Sequence, residues 1–240
     1  FFSKIATTAL ATSGLNSSTA IADYGTTPLA KIKSKIKEVK RYRQSLIVYV
    51  SSDVMDKLEL STELTRKIEM TQIADGGVGI ETRITYIDGC PIVEVIDDDR
   101  FYDKFNFDSA TGGFTPVVRT YKDSPDSALV TGKAYYTRSG SAGAYVYTLV
   151  TAPDVTDIAT YFEVDVVGSK KINVLIATPE TTIAVPKIDT IYTFAPGSHT
   201  EGDGWLYQQR SLSDVFTFPN GKSNAIDSVY VDVDSADVTA

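Results

Sequence analysis

Cysteine and histidine each occur once in this chain, as Cys90 and His199, and the pair sets the limit on its side-chain chemistry. A thiol nucleophile needs a base beside it, and His199 is the one imidazole that can serve. Cys90 lies in a Gly-Cys-Pro bend within ITYIDGCPIVEV, residues 84–95, and His199 lies in the loop-like PGSHTEGDG. Nothing in the pattern marks the two as partners, and a small apolar residue beside a turn is the plainer role for Cys90. One cysteine excludes an internal disulfide framework and multi-cysteine zinc sites, and one histidine excludes a two-histidine metal motif.

Carboxylates offer a second chemistry. Asp97, Asp98 and Asp99, with Asp103 four residues on, can gather around calcium. The glycine and distal glutamate of a helix–loop–helix calcium site are missing, so a solvated acidic loop is expected. The glycine clusters ADGGVG (74–79) and TGG (111–113) lack the lysine and Ser/Thr of a phosphate loop and the spacing of a dinucleotide site. No catalytic residue, cofactor or metal is assigned from the sequence, and an enzyme is not expected.

The 240 residues suffice for one large domain or two modest ones. The net charge of −8 argues against a general nucleic-acid coat. Fourteen Tyr and ten Phe against one Trp, together with many Val, Ile and Thr, point to strands and broad contact surfaces. No apolar run approaches the roughly 20 residues of a membrane span. Residues 1–22 have small side chains and an A-x-A-like end, mildly like a signal peptide. With one lysine and no clean apolar centre, secretion is not expected, and the sequon at Asn16 then carries no meaning.

Periodicity supplies the elements that must carry these residues. A short helix is expected over 3–11. A clearer one begins after Thr27 as cap and Pro28 in the first turn, with Leu29, Ile32, Ile36 and Val39 on one face. Its other face is basic, and Lys33, Lys37, Lys40 and Arg41 are candidate subunit-contact residues there, against the alternative of a solvated face. SLIVYVSS (45–52) reads as a buried strand, and a helix capped by Ser52 or Asp53 follows to about 68. Strands over 80–87 and 92–96 flank the Asp88-Gly89 bend. KAYYTR and YVYTLV read as a hairpin, and residues 153–162 as a capped short helix. Together they suggest a small ββα module over 120–166, with a core of Tyr135, Tyr136, Tyr145, Tyr147, Ile158 and Tyr161. Two strands surround Pro179-Glu180. The PNGK turn (219–222) predicts a long antiparallel pair between 205–218 and 225–233, the last strand half-buried.

Several phrases resemble the tailed-phage major capsid proteins: LIVYVSSDVMDKLE, then YIDGCPIVEV and RF, later KINVLIATPETTIAVPKIDTIYTFAPG, and DGWLYQQRSLSDVFTF with the closing SVYVDV. They cover roughly residues 27–105 and 169–233. The resemblance implies an α+β chain of the Hong Kong 97-type capsid fold, shared with encapsulins and herpesvirus capsids. It has an axial domain of mixed sheet plus helices and a peripheral domain of long antiparallel strands. The expected division is 1–119 as first axial part, 120–166 as inserted tyrosine-rich module, 167–195 as axial return strands, and 196–240 as peripheral strands and tail. The module itself resembles one that recurs in structural proteins of phages of Gram-positive bacteria. Too few residues precede the basic helix for the family's N-terminal arm, extended loop and spine helix, so the expectation is either a fragment of a longer chain or a subunit in which these parts are short, missing or rebuilt.

The implied function is a major capsid protein, assembled in the host cytoplasm into the icosahedral head of the virion. Its partners would be other copies of itself in pentamers and hexamers, the portal, scaffold and other head proteins, and packaged DNA without sequence-specific binding; no membrane is involved. The alternatives are a secreted or virion-surface β-rich binding protein that uses the tyrosine-rich module, and, further off, a Cys-His hydrolase.

Overall fold

A computed structural model describes residues 2–11, 21, 23–63, 85–96, 100–108, 113–217 and 228–239. In chain order the elements are α1 (Phe2–Ala11), α2 (Pro28–Lys40), β1 (Ile47–Ser51), α3 (Ser52–Glu59), β2 (Tyr86–Ile87), β3 (Cys90–Val95), β4 (Phe105–Asp108), β5 (Gly113–Pro116) and β6 (Thr120–Tyr121). There follow β7 (Tyr135–Ser139), β8 (Val146–Leu149), β9 (Tyr161–Val166), β10 (Ile172–Ala177), β11 (Thr182–Phe194), β12 (Leu206–Thr217) and β13 (Tyr230–Val233). The chain is α+β, as expected. It forms two compact units: Phe1–Ile96 with Asn173–Asp232, and Asp97–Ile172 with Val233–Ala240.

The first unit is built on a five-stranded mixed sheet in the order β13-β10-β1-β3-β2. β1 lies at its centre, antiparallel to β10 and parallel to β3. Val48 and Val50 of β1 and Val174 and Ile176 of β10 are fully buried and join one core with Ile32, Ile36 and Val39 of α2 and Val54, Met55 and Leu58 of α3. Full burial of such a side chain is worth about 1.5–3 kcal/mol, so this shared core dominates the unit's stability. In α2 the fixed φ of Pro28 suits the first turn, and the spacing of Ile32, Ile36 and Val39 puts all three on the buried face. Leu29 packs partly buried beside them.

Two caps differ from expectation. Thr27 accepts a backbone bond from Lys31 but makes no side-chain cap. Helix α3 is capped by Ser51, whose hydroxyl accepts from the Val54 N–H, rather than by Ser52 or Asp53. The expected single helix to about residue 68 is broken instead, because α3 ends at Glu59 with Leu60 as its C-cap; residues 64–68, ADGGVG, most of the strand over 80–87, Asp97–Asp99, most of TGG and the PNGK turn lie outside the described residues.

The expected C-terminal hairpin does not form. β12 pairs with β11 over twelve residue pairs, Thr182 opposite Thr217 to Phe194 opposite Leu206, while β13 joins the sheet beside β10. The turn sequence was outweighed by the longer match of Val-, Ile- and Tyr-rich runs on either side of the loop 195–205. β13 is also not half-buried. Ser228, Val229, Tyr230, Val231 and Asp232 are all buried, because Asp232 accepts bonds from the Ile21 N–H and the Tyr24 hydroxyl inside the fold. Alternation of polar and apolar residues reports burial only when the polar side finds no partner.

The second unit contains an antiparallel sheet in the order β6-β9-β7-β8, spanning 120–166, and a separate hairpin β4-β5. The expected module therefore has four strands rather than two. Its expected helix is a 3-10 segment, Val155–Thr160, capped by Asp154. The compact unit is wider than 120–166, and backbone bonds tie described residues flanking that range to one another. Asp103 N donates to Lys170 O, Arg119 N to Val238 O, and Val238 N to Ser169 O.

An ion pair of Arg119 with the buried Asp237 fastens the C-terminal segment, and the Gly168 N–H donates to the same carboxylate at 2.9 Å. Burial opposes the charge of Asp237, but the bonds and charge of Arg119 outweigh it and hold its pKa below the usual carboxylate value. Gly168 admits no side chain: a Cβ there would run into the Val238 carbonyl and stand 3.0 Å from the Arg119 nitrogen. Gly168→Ala is therefore expected to destabilise the protein by about 2 kcal/mol, visible as a lower denaturation midpoint, whereas Gly132→Ala, which meets open space but carries a positive φ, should cost about 1 kcal/mol.

Candidate functional site

The turn that carries Cys90 is tight. Asp88 and Gly89 have φ of 51° and 77°, and Ile87 pairs with Cys90 across them. Such positive angles at both central residues suit a two-residue hairpin, and Asp-Gly is a sequence that adopts them readily. Cys90 is buried in the core of the first unit. Burial pushes its thiol pKa up, which makes a weaker nucleophile. His199 sits in the β11–β12 loop, where its Nε2 lies 2.8 Å from the Gly204 carbonyl and its Nδ1 accepts from the Glu201 N–H. Among the described residues no contact joins Cys90 to His199. Asp103 is buried, and its carboxylate accepts from the Lys170 N–H.

The basic face of α2 divides into two sets. Lys33, Lys37 and Arg41 follow one another at four-residue spacing, all exposed, and their side chains make no hydrogen bond or close ion pair among the described residues. Lys40 is different. Its ammonium lies 3.0 Å from the Asp88 carboxylate and also donates to the Asp88 carbonyl. That bond raises the pKa of Lys40 and lowers that of Asp88, with smaller help to Asp88 from the charges of Lys33 and Lys37. Lys40 therefore serves this chain's own turn, a role that helical periodicity alone does not reveal. The remaining stripe crowds like charges along one line, which is mildly unfavourable until an acidic surface covers it.

In the second unit the six expected core residues separate by sheet face. Tyr135 and Tyr161 are buried on one face, where the Tyr135 hydroxyl accepts from the Val130 N–H. Tyr136 and Tyr147 are half-buried on the other face, Ile158 is half-buried in the 3-10 segment, and Tyr145 is exposed rather than in the core. Two buried residues lie outside the expected core set. Phe162 lies opposite Tyr136, and Glu163 sits between Lys122 at 2.6 Å and Lys133 at 2.7 Å. Tyr121 and Tyr147 stack at 3.7 Å, and Tyr121 meets Tyr136 at 5.0 Å. The Arg138 guanidinium lies 4.4 Å from the Tyr145 ring centre and 4.3 Å from that of Phe162. This is an aromatic layer with an embedded cation.

An extended apolar surface belongs to the β11–β12 ribbon. Residues opposite one another in an antiparallel pair share a face. On one face lie Ile183, Val185, Ile188, Thr190, Tyr192 and Phe194 of β11 with Leu206, Gln208, Arg210, Leu212 and Asp214 of β12. A bulge at Lys187 keeps Val185 and Ile188 on that same side. Ile183, Val185, Ile188, Tyr192 and Leu212 are each between 43% and 51% exposed. The opposite face carries Asp189, Thr193, Gln209 and Ser211, with Ile191 and Tyr207 as its apolar members. No family model, curated protein or solved structure matches the chain.

Two outcomes follow. Cys90→Ser should leave any assembly intact and lower stability by about 1 kcal/mol; a cysteine-dependent turnover abolished by that variant would contradict its role as filler. Hydrogen bonds from Lys122 and then Lys133 hold the Glu163 pKa below the usual glutamate value. A depressed folded-state pKa stabilises above the unfolded value of about 4.3, and that stability is lost as pH falls through the folded pKa. Denaturant titrations between pH 6 and pH 3 should show a smaller acid-linked loss for Glu163→Gln than for the parent.

Proposed function

We propose that this chain is a self-assembling structural subunit, the major capsid protein of a tailed phage with a Hong Kong 97-like fold. The observation that carries the reading is the ribbon. A two-stranded sheet of twelve pairs is marginal by itself in water, and this one leaves half-exposed Ile, Val, Leu and Tyr side chains along one face, with Thr190, Gln208, Arg210 and Asp214 set among them. Apolar surface of that kind marks a protein contact. In this reading the mixed sheet with α2 and α3 is the axial part, the ribbon is the peripheral part, and the second unit is a surface elaboration.

Assembly in such a shell is geometric. Each subunit offers several modest surfaces, and repetition around pentamers and hexamers converts weak contacts into a closed particle. Other copies, portal and scaffold proteins are the partners, the virion is the location, and the lumen holds DNA without reading its sequence. The negative net charge suits a lining that must not grip DNA.

The aromatic layer of the second unit favours a second reading, a β-rich binding protein that uses this surface for recognition. Exposed Tyr145 and the ring-embedded Arg138 are the features that support it. Size distinguishes the two. Sedimentation of the purified chain should give megadalton particles for a shell subunit, and a species of one or a few chains for a binding protein.

Lys33→Glu with Lys37→Glu should reduce particle yield several-fold at low salt, because the stripe loses its acidic neighbour. The parent's own assembly through this contact should weaken as salt rises. Particle yields equal to the parent at both low and high salt would mean that the stripe is a solvated face.

A further inference from the structure

The apolar face of the ribbon has a charge pattern that is complementary to itself. Ile188 and Leu212 stand opposite one another near its middle. Two residues to either side of Leu212 on the same strand and the same face are Arg210 and Asp214. We propose that two copies of this chain pack these faces together about a two-fold axis that runs across the strands through the Ile188–Leu212 pair. This deepens the self-assembly reading above and rests on it.

The axis reverses strand direction, so β12 of one copy lies antiparallel over β12 of the other. Arg210 of each copy then faces Asp214 of its mate, giving two opposite-charge pairs on either side of an apolar centre. On β11 the same operation sets Val185 over Thr190 and Ile183 over Tyr192. Arg210 is already placed beside its face, with its guanidinium 5.7 Å from the Tyr192 ring centre. An isologous contact requires this kind of self-complementarity. Any other axis across the strands through a pair on this face leaves Arg210 over an uncharged residue or over Arg210 of the other copy.

Size agrees with a specific contact. Twelve pairs at about 3.4 Å rise make a face roughly 40 Å long. Covering it on two copies removes on the order of 1,000 Å² from solvent, the scale at which specific interfaces begin. Sheets that pack face to face keep their strands within about 30° of one another, so both charge pairs can form at once. The opposite face, with Asp189, Gln209 and Ser211 beside the exposed Ile191 and Tyr207, lies outside this contact.

The test is charge exchange in the full chain. Arg210→Asp puts two carboxylates in each cross-copy pair, and Asp214→Arg puts two guanidiniums there. Each variant alone should associate through the ribbon at least ten-fold more weakly than the parent by sedimentation velocity, with unchanged circular dichroism. An equimolar mixture should recover association as heteromers containing one copy of each, identified by native mass spectrometry, because every pair is then Asp with Arg. The double variant Arg210→Asp/Asp214→Arg should also recover, since it restores opposite charges within one sequence. Single variants that associate like the parent overturn the two-fold pairing. So does a mixture in which both variants stay apart. If Arg210→Asp builds particles of parental size and yield, the pairing fails and the shell reading stands. A parent chain that remains monomeric at all concentrations removes both.

Discussion

Burial of β1 is the constraint on which the first unit depends. It is five residues long and has neighbours on both edges, β10 from late in the chain and β3 from nearby in sequence. Its inward valines touch the apolar stripe of α2 and the helix α3 that follows directly from its own last residue. Ser51 serves both, as the last residue of the strand and the cap of the helix. A core assembled this way leaves α2 only one face to bury, which is why Lys33, Lys37 and Arg41 are exposed. It also places the Asp88-Gly89 turn where Lys40 can reach it.

Where local signals act alone, the sequence was legible. Helix α2, strand β1, the Asp-Gly turn and the β7–β8 hairpin are all readable from periodicity and turn chemistry. Pairing was less so. PNGK is a strong hairpin signal, yet β12 finds its partner in β11, because register over twelve pairs contributes more than one turn does. β13 reads as alternating but is buried on both sides, since Asp232 takes bonds from Ile21 and Tyr24 more than 200 residues away. No pattern within ten residues carries that information.

The candidate surfaces show the same limit. The basic stripe is visible in the spacing of Lys33, Lys37 and Arg41, but the reassignment of Lys40 to Asp88 needs the fold. The module's tyrosines were recognised as a group, yet which of them are buried depends on sheet face, and Tyr145 falls on the outer side. Glu163 was invisible because its lysines come from a loop and from an edge 30 to 41 residues away. The apolar row on the ribbon appears only once Ile188 is known to sit opposite Leu212, and the bulge at Lys187 hides it from a period-two reading of β11.

The described residues of the first unit carry a buried core, a basic stripe and an apolar ribbon, and those of the second unit an aromatic layer. The central claim is that other copies of the same chain cover the ribbon. Electron microscopy of the purified full chain at assembly concentrations tests this most directly. The account predicts closed shells of one repeating subunit, with density of a neighbouring copy over Ile183, Val185, Ile188, Tyr192 and Leu212. Shells in which that face lies open to solvent, or a field of single small particles at every concentration, would contradict it.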